Sequence, residues 1–589
     1  MDTSYKGIIK YLLFCVACSG VAGCSTKSEI NNVGDNEGTN LIVNIVGIVE
    51  YLPDEKAIPV LASVGNKGNV EKEIESISLI AEEEMVSHDD FDALVSFERE
   101  NVLLQGIHTE RASINDFKLR ANAAKKPMGN GIQYRLVIYD ATDVNHASAP
   151  AVNTVLTSGG TLPVPIKIDA GKSYNWYAFS INTTTVPNIV AGVVAKADLQ
   201  NKDVLWASGT FITQFGDNNL SITLRRNNTR VDVEINSLGA FGVIDGVPKL
   251  KVLTGTNSVL KNGDLNIFDG TYSNIAEFSA GDIEVSSPSS TLKVYSLYTV
   301  DHTTSIPANT LKLNMDGFKI LKRDGAAVHN ANNNNSNSSY VTYSSTTSSI
   351  NNVAFTFQQG GTYKVTVKLI ESPVIVAGVK WARSNYKAYD GNIGGYGHYF
   401  MADPMNNLDG GTGIGEAGNG NYYYGANKLD TDRCAKVFPA NTWRMPTKAE
   451  FETLSAYVTN PTWTGSRIYE ANTVSNVAPT GRGNGYLALQ YHDANTVINT
   501  GYPLHAQKFT IPMAGHNDNG LSSGYNIANG VKKTIKSGYW TKDGSTYAKQ
   551  DFYSYEFTGN TSSSPSIIWG GNKAPAAGEL MSIRCVRRL

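Results

Sequence analysis

The sequence predicts a mainly β, exported protein: two tandem β-sandwiches followed by a loop-rich α+β unit. Three observations carry this prediction. Of 589 residues, 41% are hydrophobic and 17% charged, with 55 Gly and 30 Tyr. That composition suits an extracellular β protein with sizeable cores and excludes global disorder. Period-two alternation of apolar and polar side chains recurs from residue 130 to 370, where no long 3.6-residue pattern competes. The first 24 residues have the layout of an export signal. The formal net charge of −3, with a pI near 6.3, offers no basic surplus for nucleic-acid binding. At about 150 residues per domain, the length leaves room for three or so units.

In chain order, residues 1–23 read as a lipoprotein signal peptide. Lys6 and Lys10 form a charged start, and Tyr11 to Val21 is an apolar run too short for a spanning helix of about 20 residues. Val21-Ala22-Gly23-Cys24 resembles the bacterial lipobox. The resemblance implies cleavage before Cys24 and lipid on its thiol and amine, which tethers the mature chain to a leaflet. An ordinary secretory signal with an incidental cysteine is the alternative. No later stretch approaches about 18 unbroken apolar residues. Cys15, Cys18 and Cys24 belong to the signal or anchor, so Cys434 and Cys585 remain for the folded body. Two cysteines in an exported chain suggest a disulfide, with two buried free thiols as the alternative.

Residues 24–228 are read as the first sandwich, with a polar tether (25–39) and an acidic stretch. Leu41 to Val46 is a strand candidate. Glu71, Glu73, Glu75, Glu82, Glu83, Glu84, Asp89, Asp90 and Asp92 crowd the next segment, which predicts a solvated loop or exposed helix. Tyr134 to Asp140 is a strand. In Ser173 to Ile181, Tyr174, Trp176 and Ala178 share one face and Tyr177, Phe179 and Ile181 the other. Leu220, Ile222 and Leu224 alternate with polar residues; so do Val231, Val233 and Ile235, and then Tyr363, Val365, Val367 and Leu369. The boundary to a second sandwich, 229–372, falls near 225–230. Asn332 to Asn335 open a low-complexity insert that reads as a surface loop.

From 373 to 589 Gly, Tyr, Asn and Trp become dense and alternation fades. Thr447 with Glu450 is a capping box for a short helix that carries Phe451 and Leu454.

Two resemblances follow from these residues. Tyr134 to Asp140 and Ala170 to Ser180 resemble the first domain of fimbrillin-like proteins, exported lipoproteins of Bacteroides-type bacteria that build type V pili. The dispersed motifs Gly378 to Asn385, Tyr422 to Gly425, Trp443 to Thr447, Ile511 to Gly515, Gly538 to Thr541 and Ser582 to Val586 resemble the Fibrobacter major paralogous domain. That family is related to C-type-lectin-like folds, and its pattern implies the pair Cys434–Cys585.

The first resemblance implies assembly by strand exchange. An arginine-specific protease removes the first strand of a subunit, and a neighbour's C-terminal strand fills the groove by β-augmentation. Candidate cut positions are Arg99, Arg111 and Arg120, with Arg111 favoured, although each is also an ordinary exposed arginine. Such a cut is expected to free the body from its lipid. The implied partners are other pilus subunits, the membrane through Cys24, and an unidentified host or bacterial surface ligand. With the chain closing at Arg587-Arg588-Leu589 just past Cys585, the expectation is a subunit that accepts a strand and donates none, which suits a pilus tip. A lipid-anchored binding protein that never polymerises, or a pilus anchor, is the alternative.

Tyr396, Tyr399, Tyr422, Tyr423 and Tyr424 are candidate ligand-stacking aromatics, although packing in the domain core is the preferred reading for most of them. The calcium and sugar signatures of lectin relatives, Glu-Pro-Asn and Trp-Asn-Asp, are absent. His398, His492, His505 and His516 lack zinc spacing. Gly413 to Gly418 fits GxGxxG without a preceding apolar strand. No catalytic residue, metal or cofactor is therefore expected.

Overall fold

The computed structural model describes residues 38–49, 79–88, 90–99, 125–160, 165–278, 285–287, 291–322, 340–388, 397–400, 423–424 and 432–451, then shorter stretches up to residue 588. The fold is mainly β.

The chain enters with β1 (Asn40–Val49). It continues through β2 (Leu79–Ser87), β3 (Phe91–Arg99), β4 (Lys125–Lys126), β5 (Gln133–Asp140), β6 (Val152–Thr157), β7 (Ile166–Lys167), β8 (Ser173–Ser180), β9 (Val193–Val194), β10 (Leu205–Ile212) and β11 (Asp217–Arg226). Eight of these form one sheet in the order β4-β1-β11-β10-β8-β5-β6, with β7 also on β1. Leu41 and Val43 at one end of this path share a core with Val152 and Leu156 at the other, so the sheet folds across itself. The first unit is thus one continuous curled sheet and not two separate ones. Period two explains why both faces of β8 are apolar. Tyr174, Trp176 and Ala178 fill the inner core, while Tyr177, Phe179 and Ile181 fill an outer one with Val194, Leu199 and Leu265. Gly209 is required where β10 passes the Trp176 ring, because an added Cβ would lie 2.8 Å from Trp176 Cζ2.

Only Asn227 and Asn228 separate β11 from β12 (Thr229–Gly239), which starts the second unit. Its strands are β13 (Gly242–Asp245), β14 (Leu250–Thr254), β15 (Asn257–Ser258), β16 (Lys261–Asn266), β17 (Tyr272–Glu277), β18 (Val285–Ser287), β19 (Leu292–Thr299), β20 (Ser305–Ile306), β21 (Leu311–Met315), β22 (Phe318–Lys322), β23 (Tyr340–Tyr343), β24 (Thr346–Ser349), β25 (Phe355–Thr356) and β26 (Thr362–Glu371). A six-stranded sheet, β18-β19-β12-β26-β3-β2, faces two small sheets, β13-β22-β23 and β15-β14-β21-β24. Val231, Val233 and Ile235 of β12 and Tyr363, Val365 and Val367 of β26 meet Leu250, Leu313 and Ile320 across the core. A buried pair, Arg226 Nε to Asp203 Oδ1 at 2.7 Å, sits at the junction, and Arg226 also donates to Thr362 Oγ1 at 3.1 Å.

Two sequence expectations are corrected here. Residues 79–99, assigned to the first unit, pair with the second. The acidic stretch, read as a loop or helix, supplies a β-hairpin. The reason is a second alternation hidden beside the charges: Phe91, Ala93, Val95 and Phe97 all face the core and are at most 3% exposed. That apolar edge finds its place beside β26. Glu83 and Glu84 of β2 stay exposed at the rim, where Glu83 pairs with Lys368, whereas Asp92 is buried.

After Ser372, β27 (Val374–Val376) and β28 (Val379–Trp381) join strands Trp443–Arg444 and Val586–Arg587 in a four-stranded sheet. Its core holds Trp443, Trp540, Phe400, Met445 and Ile583. The capping box forms: Thr447 N donates to Glu450 Oε2 at 2.8 Å and Glu450 N to Thr447 Oγ1 at 3.3 Å. The Asn-rich insert lies outside the described residues.

Candidate functional site

Two features bear on function: the edge held by β1 and the way residues 585–588 are fixed. β1 runs parallel to β11, from Asn40 opposite Asp217 to Val49 opposite Arg225. Leu41 and Val43 point into the inner core. The register slips between Ile45 and Gly47, a bulge that changes phase so that Ile48 points inward as well. On the outer side β7 pairs with Asn40 and Leu41, and β4 with Ile48 and Val49. Among the described residues no strand pairs with Ile42–Gly47 on that side, so the middle of β1 is open while both its ends are covered. Its start is held by polar contacts: Asn40 Nδ2 donates to Asp217 Oδ1 and Lys167 Nζ to Asn40 Oδ1, both at 2.8 Å.

The other end of the described chain is fixed. Cys434 and Cys585 form a disulfide with a Cα–Cα distance of 5.7 Å. Val586 lies between Trp381 and Arg444 as a strand partner of both. Arg587 Nη2 pairs with Asp92 Oδ2 at 2.8 Å and donates to the Glu371 carbonyl at 2.6 Å. Its guanidinium lies 4.1 Å from the Trp443 ring centroid. Burial pushes the Arg587 guanidinium down to about 10, against the pull of Asp92, so it is charged at neutral pH. Arg588 N donates to the Thr442 carbonyl at 2.9 Å. Arg383 adds a second clamp, donating to the Ser372 and Ala506 carbonyls at 2.8 and 2.7 Å and lying over the Tyr502 ring.

Of the residues singled out in the sequence, Cys24, Arg111, Arg120, Tyr396 and Tyr422 lie outside the described residues. Arg99 ends β3, opposite Tyr363. Tyr423 and Tyr424 form a short strand against Leu580–Met581. Tyr399 is 4% exposed and packs with Phe400 and Tyr386, so it serves the core and offers no ring to a ligand. Asp92 and Arg587 were not anticipated. Asp92 looked like one more acid in a charged run; its place between the apolar Phe91 and Ala93 was the available signal. Among the described residues no three His, Cys, Asp or Glu side chains cluster to hold a metal, and no helix is long and apolar enough to cross a membrane.

Comparison with known proteins adds one family. Residues 141–380 match the fimbrillin-like family model, covering β6 to β28 with the connection before them. No curated protein matches the chain. Among solved structures, a candidate cell adhesion protein from Bacteroides fragilis aligns at 11% identity and TM-score 0.26, over 45% of this chain and 88% of that one. The fimbrial anchor protein Mfa2 from Porphyromonas gingivalis aligns at 12% identity and TM-score 0.18, over 33% and 73%. A fimbrial assembly protein from Parabacteroides distasonis aligns at 10% identity and TM-score 0.19, over 40% and 82%.

Proposed function

We propose that this protein is an adhesive subunit of a bacterial surface pilus, taken into the polymer by strand exchange at the β1 edge and placed at the tip. The carrying observation is β1 itself. It comes from the N-terminal segment, its apolar side chains complete the inner core of the first unit, and the middle of its outer side, Ile42–Gly47, has no strand partner among the described residues. A strand from another subunit has the same groove beside β11 to occupy, gaining main-chain hydrogen bonds and side-chain pockets in register. The match of residues 141–380 to the fimbrillin-like family supports the same reading.

The tip position is supported by what is unavailable for donation. β26 is a central strand, and residues 585–588 are tied into the C-terminal unit by a disulfide, strand pairing and a buried ion pair. The C-terminal unit would then meet a host or bacterial surface ligand, with Tyr396 and Tyr422 to Tyr424 as candidate contacts. Lipid on Cys24 would hold the precursor at the outer membrane, and Arg111 or Arg120 would be the cut position. No enzymatic step and no cofactor enters this reading.

A second reading, a lipid-anchored binding protein outside the polymer, is favoured by the pairing of β3 with β26 along its whole length, which ties the N-terminal segment to the body. N-terminal sequencing of protein from sheared surface filaments separates the two. A new N-terminus following Arg111 or Arg120 supports incorporation after cutting. Absence from the filaments, with intact lipidated protein in the membrane, overturns it.

A further inference from the structure

The N-terminal segment is wired into the molecule twice, and the two attachments differ. β1 sits at an edge. β3 sits inside a sheet, between β26 and β2. It is antiparallel to β26 along its whole length, from Arg99 opposite Tyr363 to Phe91 opposite Glu371. Phe91 and Phe97 are 1% and 0% exposed. Phe91 meets the Phe318 and Tyr343 rings edge-on at 5.8 and 5.3 Å, and Phe97 meets Phe355 at 5.2 Å. The turn of the hairpin is stitched to three other segments. Ser344 N donates to Asp90 Oδ2 at 2.6 Å, Ser372 Oγ to the Asp90 carbonyl at 3.0 Å, and His88 Nε2 lies 3.0 Å from Ser348 Oγ. Asp92 closes the buried pair with Arg587.

We infer that the β2–β3 hairpin is a permanent part of the second unit, which keeps the N-terminal fragment bound after the chain is cut between β3 and β4. Losing the hairpin would trim the six-stranded sheet to four, leave the edge of β26 unpaired and its core neighbours uncovered, and strand Arg587 without its carboxylate in a buried site. Each of these opposes departure, and none depends on an intact peptide bond after Arg99. A cut at Arg111 or Arg120 therefore opens the chain without shedding its leader. β1 stays tethered to β2 by residues 50–78 and competes with any incoming strand for the groove beside β11 from a high effective concentration. Lipid on Cys24 would stay with the body too, which revises the expectation that cutting frees the protein. This retention follows from the pairing of β3 alone; its bearing on assembly rests on the function proposed above.

The test uses the full mature chain with a site-specific protease sequence inserted between Arg111 and Arg120 and an affinity tag on the N-terminal side. After complete cutting, the expected result is one peak on native size exclusion, with both fragments recovered on the tag. They separate only in denaturant. A second chain carrying Phe97→Ala and Asp92→Asn is expected to release its tagged fragment at least tenfold faster. Native separation of the two fragments in the unsubstituted protein overturns the inference, as does equal retention in both proteins. Absence of the protein from filaments would defeat the assembly reading and leave this result standing.

Discussion

Replacing Asp92 by Asn removes one charge from the link between β3 and the C-terminal strand and leaves the shape unchanged. The two side chains of the Asp92–Arg587 pair are 9% and 4% exposed. Taking away one partner of such a buried pair costs about 3 kcal/mol, because the other charge is left desolvated; exposed pairs are worth well under about 1 kcal/mol. The Glu371 carbonyl and the Trp443 ring still face Arg587, so the loss should lie at the lower end of the usual range of about 3–5 kcal/mol. Denaturant titration followed by tryptophan fluorescence suits the measurement, since Trp443 lies under the guanidinium and Trp381 pairs with Val586. The double variant Asp92→Asn with Arg587→Met should recover much of the loss, giving a coupling energy of at least about 1 kcal/mol. A loss below about 0.5 kcal/mol in Asp92→Asn, or simple additivity in the double variant, would refute the view that this pair joins the N-terminal hairpin to the C-terminal unit.

Replacing Cys434 and Cys585 by Ser removes a cross-link across a sequence separation of 151; the C-terminal unit should lose up to about 5 kcal/mol, read from its own unfolding transition. Phe97→Ala empties a fully buried position beside Phe355 and should cost about 3–5 kcal/mol in the same titration. Gly209→Ala presses a methyl group on the Trp176 ring and should cost about 1–3 kcal/mol, whereas an unchanged midpoint would show that the ring moves freely aside. Burial lowers the His302 pKa from 6.5 to about 4, although the Asp301 charge opposes it. The unfolded chain then takes up a proton that the folded one refuses, so stability should fall by about 1.4 kcal/mol per unit as pH drops from 6.5 towards 4. Thermal melts of the native protein and of His302→Asn across that range check this, and the variant should lack that slope.

The strands that read clearly in the sequence are those whose alternation is undisturbed by other signals. Tyr174 to Ile181 gave both faces of β8, and Val231 to Ile235 and Tyr363 to Leu369 gave the two parallel strands at the centre of the second sheet. The hairpin from Leu79 to Arg99 did not read clearly, because neighbouring carboxylates outweigh four alternating apolar residues in any local average. Its partner is also far away: Lys368 meets Glu83 across 285 residues, and no local rule reports a pairing so distant. The capping box at Thr447 was legible because its hydrogen bonds span three residues. Tyr399 went to the core, the reading the sequence preferred for most of these tyrosines, but nothing local in its Gly-rich stretch singles it out before the rest of the core is assembled around it.

The separation of β3 from its neighbours also sets a timetable. As the chain emerges from its N-terminus, β1 must wait for β11 and β3 for β26, while Asp92 waits across 495 residues for Arg587. Until then a hydrophobic ribbon is unaccompanied, and such ribbons join wrong neighbours. The glutamates of β2, which confuse a reading of the fold, are placed as gatekeepers for that interval, flanking the apolar strand with like charge.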